Sequence, residues 1–577
     1  MNKIMKSYIN KIFTLLCVAL MLGMTSCIGD LDLVPNDPNT LTSDKFKENP
    51  SEYLMAVMAK CYSGMAVSGQ TGPNGDSDIS GLDGGTSQYT RTLFMMNEFT
   101  TDECIWMYSS DSGVNELVLG TWGANATAIE GSYSRLYVHI AICNEFLRLV
   151  QPSNLELLEI SVDDELQATI DQYCLEARAL RAMSYYNTLD LFGNTGFIDD
   201  NMASGTDPIQ MKRSELYAWL VDELKDLVSQ FPTTTPIYSR VGIDGVEALL
   251  ARTYLNAKVF AGVDASAECQ ACCQNIINRR KGGGYNGTGL AKHYLYLFCG
   301  DNDVYMPGGS KSDENEILWG IPFDSEYIQP YGGTTFLIAG AMTNTGESLD
   351  DAPEIPYMNA LDYGSGSQWG CMHARKEFSQ KFTDADIRWS MWCKEANGFS
   401  IENTGFTTFT DGFAAIKFTN LIAGEDGAWS AENGGIYDPT GTISARGESF
   451  PDTDLPLIRL ADVYLMYAEC YIVGGQGDAA TALEYVNNVR GRAGVTLWSA
   501  SDMTATSILD ERSRELYWEN TRRTDLIRFG KFTGSDYIWS WKGGLFEGTS
   551  ISSYRDLFPI PTNVIAVQPE FEQNTGY

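Results

Sequence analysis

Imidazole chemistry in this chain rests on three histidines, His139, His293 and His373. None stands in an HExxH pair that would hold zinc beside a general base. No GxSxG turn presents a serine nucleophile, and no GxxxxGK[ST] loop cradles a phosphate. The stretch GGGYNG, Gly282 to Gly287, satisfies GxGxxG. It follows a helical run ending in Arg279, Arg280 and Lys281, whereas a dinucleotide site needs a strand there, so it reads as a surface turn. Cys269, Cys272 and Cys273 form a CxxCC on a helical stretch. Structural zinc would need a second ligand pair, and none is evident; buried thiols are the first reading and zinc the second. With 75 Asp and Glu residues, paired carboxylates for glycoside hydrolysis are available, yet no pair stands out. The expectation is a protein that is not an enzyme.

A different chemistry is written at Cys27. Lys3, Lys6 and Lys11 lead into an apolar run, Ile12 to Met24, and Thr25 and Ser26 are small. A basic leader, a short apolar stretch and small residues before a cut make an export signal, here residues 1–26. The run is short of the ~20 apolar residues of a spanning helix. A cysteine directly after the small residues resembles the lipobox of bacterial lipoproteins, with Met24 where Leu is usual. The alternative is a soluble exported chain cut nearby. The residues after Cys27 favour a tether: Gly29, Asp30, Asp32, Pro35, Asn36, Asp37 and Pro38 suit turns and linkers. Acyl chains on Cys27 would hold the protein on a membrane at ~0.8 kcal/mol per buried CH₂.

The body of the chain must position whatever site it has. Of 577 residues, 44% are hydrophobic and 20% charged, ordinary values for a globular protein with a substantial core. A net charge of -35 argues against a nucleic-acid partner, which wants clustered Lys and Arg. The 13 cysteines are scattered, a poor disulfide framework for so long a chain. Amphipathic helices are expected over about 52–66, 134–150, 166–191, 214–230, 458–472 and 506–528. They are also expected where Val246, Leu249, Leu250, Thr253, Tyr254 and Ala257, or Ala482, Tyr485, Val486, Val489 and Ala493, keep helical spacing. Ala at packing positions, and the Gly-Gly-Gln-Gly-Asp turn in AECYIVGGQGDAATALEYVNNVRGRAG, resemble tetratricopeptide-type hairpins. Residues 282–454 are instead rich in Gly, Asp, Ser, Thr and aromatics. EILWGIPF, TTFLIAG and AAIKF read there as short strands among long loops. The domain reading is a single unit, 27–577, with a loop-rich insertion at about 282–454.

Four stretches, EARALRAMSYYNTLDLFG, DLPLIRLADVYLMYAEC, VNNVRGRAG and ENTRRTDLIRFGKF, are similar to motifs of the SusD/RagB family of outer-membrane nutrient-binding lipoproteins, and in the same order. RTLFMMNEFTTDECIWMY, PYGGTTFLIAG, QWGCMHAR, FPDTD and YIWSWKGG resemble a starch-binding member of that family. The resemblance implies a mostly α-helical fold, with about four tetratricopeptide-like units packed against a loop-rich half. It implies a lipid-anchored protein on the outer face of the outer membrane, partnered with a SusC-like TonB-dependent transporter. It further implies capture of α-glucan, such as starch or maltooligosaccharides, by an arc of rings at Tyr108, Tyr331 and Trp369, with polar contacts from Arg91 and Asp111. Tyr108 and Asp111 stand where the starch-binding member has Trp and Asn. The loop between Tyr331 and Trp369 is longer and carries Tyr357 and Tyr363. Calcium is implied as a structural ion at Asp303, Asp452 and Asp454, with ordinary turn chemistry as the competing account.

The physical logic stands independently of the resemblance. A pyranose has flat C–H faces and a rim of hydroxyls; rings take the faces and charged groups the rim. Each polar contact replaces water and yields only ~1 kcal/mol net, so shape must select the ligand. Arg459, Arg490, Arg492, Arg522 and Arg528 alternate with Glu469, Glu511, Glu515, Glu519 and Asp525. They read as ion pairs joining helices, not as an anion site. Two rival functions stay open: the same fold binding another glycan or a peptide, and a surface glycoside hydrolase.

Overall fold

The computed structural model describes residues 43–69, 72, 75–108, 111, 113–341, 364–388, 415–422 and 449–577. The leader 1–26, Cys27, Tyr357 and Tyr363 lie outside them. Two units are distinguished. The smaller takes residues 43–57 and 151–169 of the described chain, and the larger takes the rest. In the smaller, Phe46 stacks on Tyr53 at 4.4 Å between ring centroids, and Lys47 meets Glu159 at 2.6 Å. That ion pair is exposed, so its contribution to stability is small.

The larger unit is built mostly of helices, as the amphipathic periodicities require. The principal ones run Thr127–Leu149, Arg213–Gln230, Ile243–Leu255, Ser266–Arg280, Leu460–Ile472, Ala479–Arg492 and Ala505–Leu516, with the Asp164–Phe192 helix from residue 170 on. Leu460 through Cys470 is buried on every side, a helix surrounded by others. The turn at Gly474–Gln476 leads into Asp478, whose carboxylate accepts from Thr481 N–H at 2.8 Å and caps the next helix. Cys269, Cys272 and Cys273 are buried thiols on the Ser266–Arg280 helix, the first of the two expectations for them.

Among the described residues the sheets are three antiparallel pairs. Cys104–Trp106 pairs with Met372–Ala374, Thr195–Phe197 with Ile209–Met211, and Ile317–Ile321 with Leu455–Arg459. The last pair corrects one helix boundary. Ile458 and Arg459 close a strand opposite Trp319 and Ile317, and the helix begins at Leu460. The expected helix 506–528 is two. It breaks after Leu516 because Trp518 and Asn520 take φ of 61° and 62°, a left-handed backbone that no helix continues. The helical pattern through Ala257 also stops, at Leu255, where the Asn256 amide turns back onto the Arg252 carbonyl at 2.9 Å.

Two expected strands are otherwise. TTFLIAG lies in a helix, Gly333–Ala341, with every residue buried. A short run of apolar residues suits a buried helix as well as a strand, and periodicity cannot separate them. Residues 415–422, containing most of AAIKF, make backbone bonds to Phe298 and Gly300 without forming a strand.

Acid–arginine pairing runs through the helical core. Arg459 reaches Glu316 at 2.7 Å, Glu515 at 3.0 Å and Glu519 at 2.6 Å, all fully buried. Arg492 meets Glu316 and Glu515, and Arg388 meets Glu511 at 3.1 Å. Burial pushes the Glu511 carboxyl up, but Arg388, Arg514 and Arg490 outweigh it and hold it at about 2. Arg492 therefore joins its helix to the Ala505–Leu516 helix through Glu515, while Arg459, at a strand's end, and Arg388, outside the helices, meet carboxylates of that same helix.

Candidate functional site

Construction of the site begins at Gln88, the residue before the Tyr89–Asn97 helix. Its Oε1 accepts from Arg91 N–H at 2.9 Å, capping that helix, and from Gly333 N–H at 3.2 Å. Its Nε2 donates to the Met65 and Ala66 carbonyls at 2.9 and 3.0 Å. One buried amide thus fastens three chain segments. The loop 330–333 can come this close only because Gly332 is a glycine: a Cβ there would lie 2.5 Å from Gln88 side-chain atoms. The ring of Tyr331 is left outside, 47% exposed.

Three residues into the helix comes Arg91, buried to 9% exposure. Its Nη1 donates to the Tyr331 carbonyl at 3.2 Å. The guanidinium carbon lies 4.7 Å from the centre of the Phe336 ring and 5.7 Å from those of Trp106 and Trp369. Such cation–π contacts are strengthened where water is excluded. Burial lowers the Arg91 pKa below its ordinary value, against the pull of Asp83 and Asp111. The Asp83 carboxyl is itself raised by burial, but Thr86, then Arg91, bring it below the usual range.

The rings divide into an inner and an outer set. Trp106 is 2% exposed and stacks on Phe336 at 5.2 Å. Its indole N–H donates to Asp111 Oδ2 at 2.8 Å, so one of that carboxylate's oxygens is engaged within the protein. Tyr108, two residues on along the chain, is 42% exposed. The Cys104–Trp106 strand, paired with Met372–Ala374, is buried along its whole length and ends at Trp106, so Tyr108 lies past the strand's end. Trp369 is half-buried; its N–H bonds the Ala339 carbonyl at 2.6 Å, and its ring is 6.5 Å from Phe336 at a tilt of 53°. Arg91, Asp111, Tyr331 and Trp369, far apart in sequence, are thus gathered around one helix and one guanidinium, with Tyr108 on the chain that also holds Asp111.

Sequence reasoning missed Gln88, Phe336 and Phe450. Phe336 was hidden because its segment reads as a strand. Phe450 packs on Tyr331 at 5.1 Å with the ring planes 59° apart. Its only signal was its place as the first residue of FPDTD, a stretch that draws the eye to its acids.

Those acids stand near one another. Asp454 Oδ1 accepts from Phe323 N–H at 2.9 Å and Oδ2 from the Tyr238 hydroxyl at 2.6 Å. Asp452 Oδ1 accepts from Ser325 N–H at 3.0 Å. Burial, with Asp303 and Asp452 adding to it, raises the Asp454 carboxyl to about 7. Among the described residues no three carboxylate, histidine or cysteine side chains converge as metal ligands. Asp454 uses one lone pair of each carboxylate oxygen on these protein donors.

Comparison with known proteins places the chain among relatives. A model of the SusD family matches residues 422–577. The starch-binding protein SusD of Bacteroides thetaiotaomicron is 31% identical over 621 residues, covering 99% of each chain. The SusD-like protein P25 of Formosa agariphila is 36% identical over 487 residues, covering 80% of this chain and 83% of that one. Among solved structures, a SusD homolog from B. thetaiotaomicron matches with a TM-score of 0.66 at 18% identity, covering 93% of this chain and 99% of that one. Surface glycan-binding protein A from the same species, in complex with laminarihexaose, matches with a TM-score of 0.62 at 18% identity, over 91% and 99%. At such identity the solved structures speak for the fold alone, a mostly helical one.

Proposed function

This chain belongs to the SusD family, and from that premise we propose that it is a cell-surface glycan-binding lipoprotein that captures α-glucan and passes it to a SusC-like transporter. One observation carries the ligand reading. Tyr331 and Trp369 present rings at the surface while a single buried side chain, Arg91, bonds the backbone of one and lies against the ring of the other. Rings so fixed give flat apolar faces to sugar C–H groups without first having to be ordered. The exposed Tyr108 extends the set.

Curvature favours α-glucan. The Phe450 ring turns 59° from that of Tyr331. Rings that turn from one to the next follow a helical chain of glucose better than a flat ribbon. The relative named for starch binding is aligned along nearly the whole chain. A second reading, another glycan at the same rings, is favoured by the laminarihexaose complex of a protein with this fold. In either case the chain binds and does not cleave.

Anchorage through acylated Cys27 belongs to the same proposal. Among the described residues no helix is long and apolar enough to cross a membrane. The test is calorimetric titration of the full chain, in a detergent free of sugar, with maltoheptaose and with laminarihexaose. Heat from maltoheptaose alone supports the α-glucan reading. Heat from laminarihexaose alone moves the ligand to β-glucan, and no heat from either removes both glucans.

A further inference from the structure

Resting on the glycan reading above, we propose that Phe450 is itself a sugar-binding ring, joining the Tyr331 and Trp369 faces into one continuous platform. Phe450 is half-exposed and its ring centroid is 5.1 Å from that of Tyr331. The carbonyl of the preceding residue, Ser449, accepts from Ser367 Oγ at 3.0 Å, and Ser367 is two residues before Trp369. The next turn of chain is fastened on the other flank. Asp452 Oδ1 takes the Ser325 N–H at 3.0 Å and Asp454 Oδ1 the Phe323 N–H at 2.9 Å, on the segment that leads to Tyr331. The Asp452 N–H donates to Asn420 Oδ1 at 2.9 Å. The chain on either side of Phe450 is therefore held, at Ser449 by the loop that carries Trp369 and at Asp452 by the segment that leads to Tyr331.

A phenylalanine has no polar tip, so leaving part of its ring in water yields nothing by itself. Beside the exposed Tyr331 ring, that face is completed by a pyranose C–H surface. The 59° angle to Tyr331 means the two rings cannot both lie under one flat sugar. Successive glucose units, rotated along a helical chain, can each meet one of them. Lacking a hydroxyl, Phe450 would read the shape of the chain and not its hydroxyl pattern.

The test titrates maltoheptaose into the full chain and into Phe450→Ala and Phe450→Leu, with circular dichroism and melting checked for each. Leucine still packs against Tyr331 but offers no flat face. A loss of about tenfold in affinity for both variants, with folding intact, is expected. Unchanged binding by Phe450→Ala overturns the proposal. Weak binding by Phe450→Ala with near-normal binding by Phe450→Leu also overturns it, since the ring then only props Tyr331. Failure of the unsubstituted chain to bind any maltooligosaccharide would instead strike the α-glucan reading beneath it.

Discussion

Arg91 Nη1 donates to the carbonyl oxygen of Tyr331 across 240 residues of chain, at 3.2 Å. The resemblance to a starch-binding relative casts Arg91 as a sugar contact, yet most of its side chain lies beneath the rings. Its first task in this arrangement is to set where Tyr331 and Trp369 stand. A hydrogen bond from a charged donor is worth about 1.5–3 kcal/mol.

Replacing Arg91 with methionine keeps an apolar stem among Trp106, Phe336 and Trp369 and deletes the bond to Tyr331. Maltoheptaose affinity is expected to fall about tenfold or more, and urea unfolding to lose about 1–3 kcal/mol. Calorimetry beside a denaturation curve measures both. Weakened binding at full stability would mean that Arg91 acts on the sugar directly.

Trp369→Ala and Tyr331→Ala remove rings that the surface presents. Each should abolish or strongly weaken glucan binding while moving stability little, within about 1 kcal/mol for Tyr331, whose ring is nearly half exposed. A large drop in melting temperature without loss of binding would make these rings core residues.

Arg459→Met leaves Glu316, Glu515 and Glu519 facing one another with one buried cation fewer. Breaking a buried network from one side costs about 3–5 kcal/mol. Chemical denaturation of the variant should show a destabilisation of that order, and glucan affinity of the folded fraction should be unaffected.

His139 supplies a pH dependence. Burial pushes its pKa down from 6.5 to about 4, partly offset by its bond to the Cys61 carbonyl, while nearby Arg135 lowers it further. The ring is wedged between Ser184 Oγ at 2.7 Å and that carbonyl at 2.9 Å. Because the folded pKa is the lower one, acid protonates the unfolded chain first. The neutral ring's contribution is complete above pH 6.5, falls away between pH 6.5 and 4, and is flat below. The total is roughly 3 kcal/mol. Comparing His139→Gln with the unsubstituted chain across that range isolates the slope; parallel curves would show that His139 does not titrate in the window.

Much of the helical body was legible because its signal is local. Val246, Leu249 and Leu250, or Tyr485, Val486 and Val489, repeat at helical spacing, and such a stripe must be buried wherever the helix goes. The arginine–glutamate pairing could be read likewise, since charge placed within amphipathic helices needs a partner. TTFLIAG could not be assigned. Uniformly apolar residues carry no period, and it was Gln88, from a distant segment, that met the start of that helix. Nor could the break after Leu516, where Trp518 and Asn520 are held left-handed and the side chains of Tyr517 and Trp518 are buried.

The sequence, through its resemblance to a starch-binding relative, pointed to Tyr108, Tyr331 and Trp369 with Arg91 and Asp111 as sugar contacts, and by its own composition and periodicity it determined an acidic, helical protein. Only the tertiary structure decided that Trp106 turns inward while Tyr108 stays out, that Arg91 lies under the rings, and that Phe450 stands beside Tyr331. The reason is physical. Residue type fixes what a group can bind, and local spacing fixes a helix. Exposure and neighbourhood depend on segments hundreds of residues apart closing on one another, and no local pattern records them.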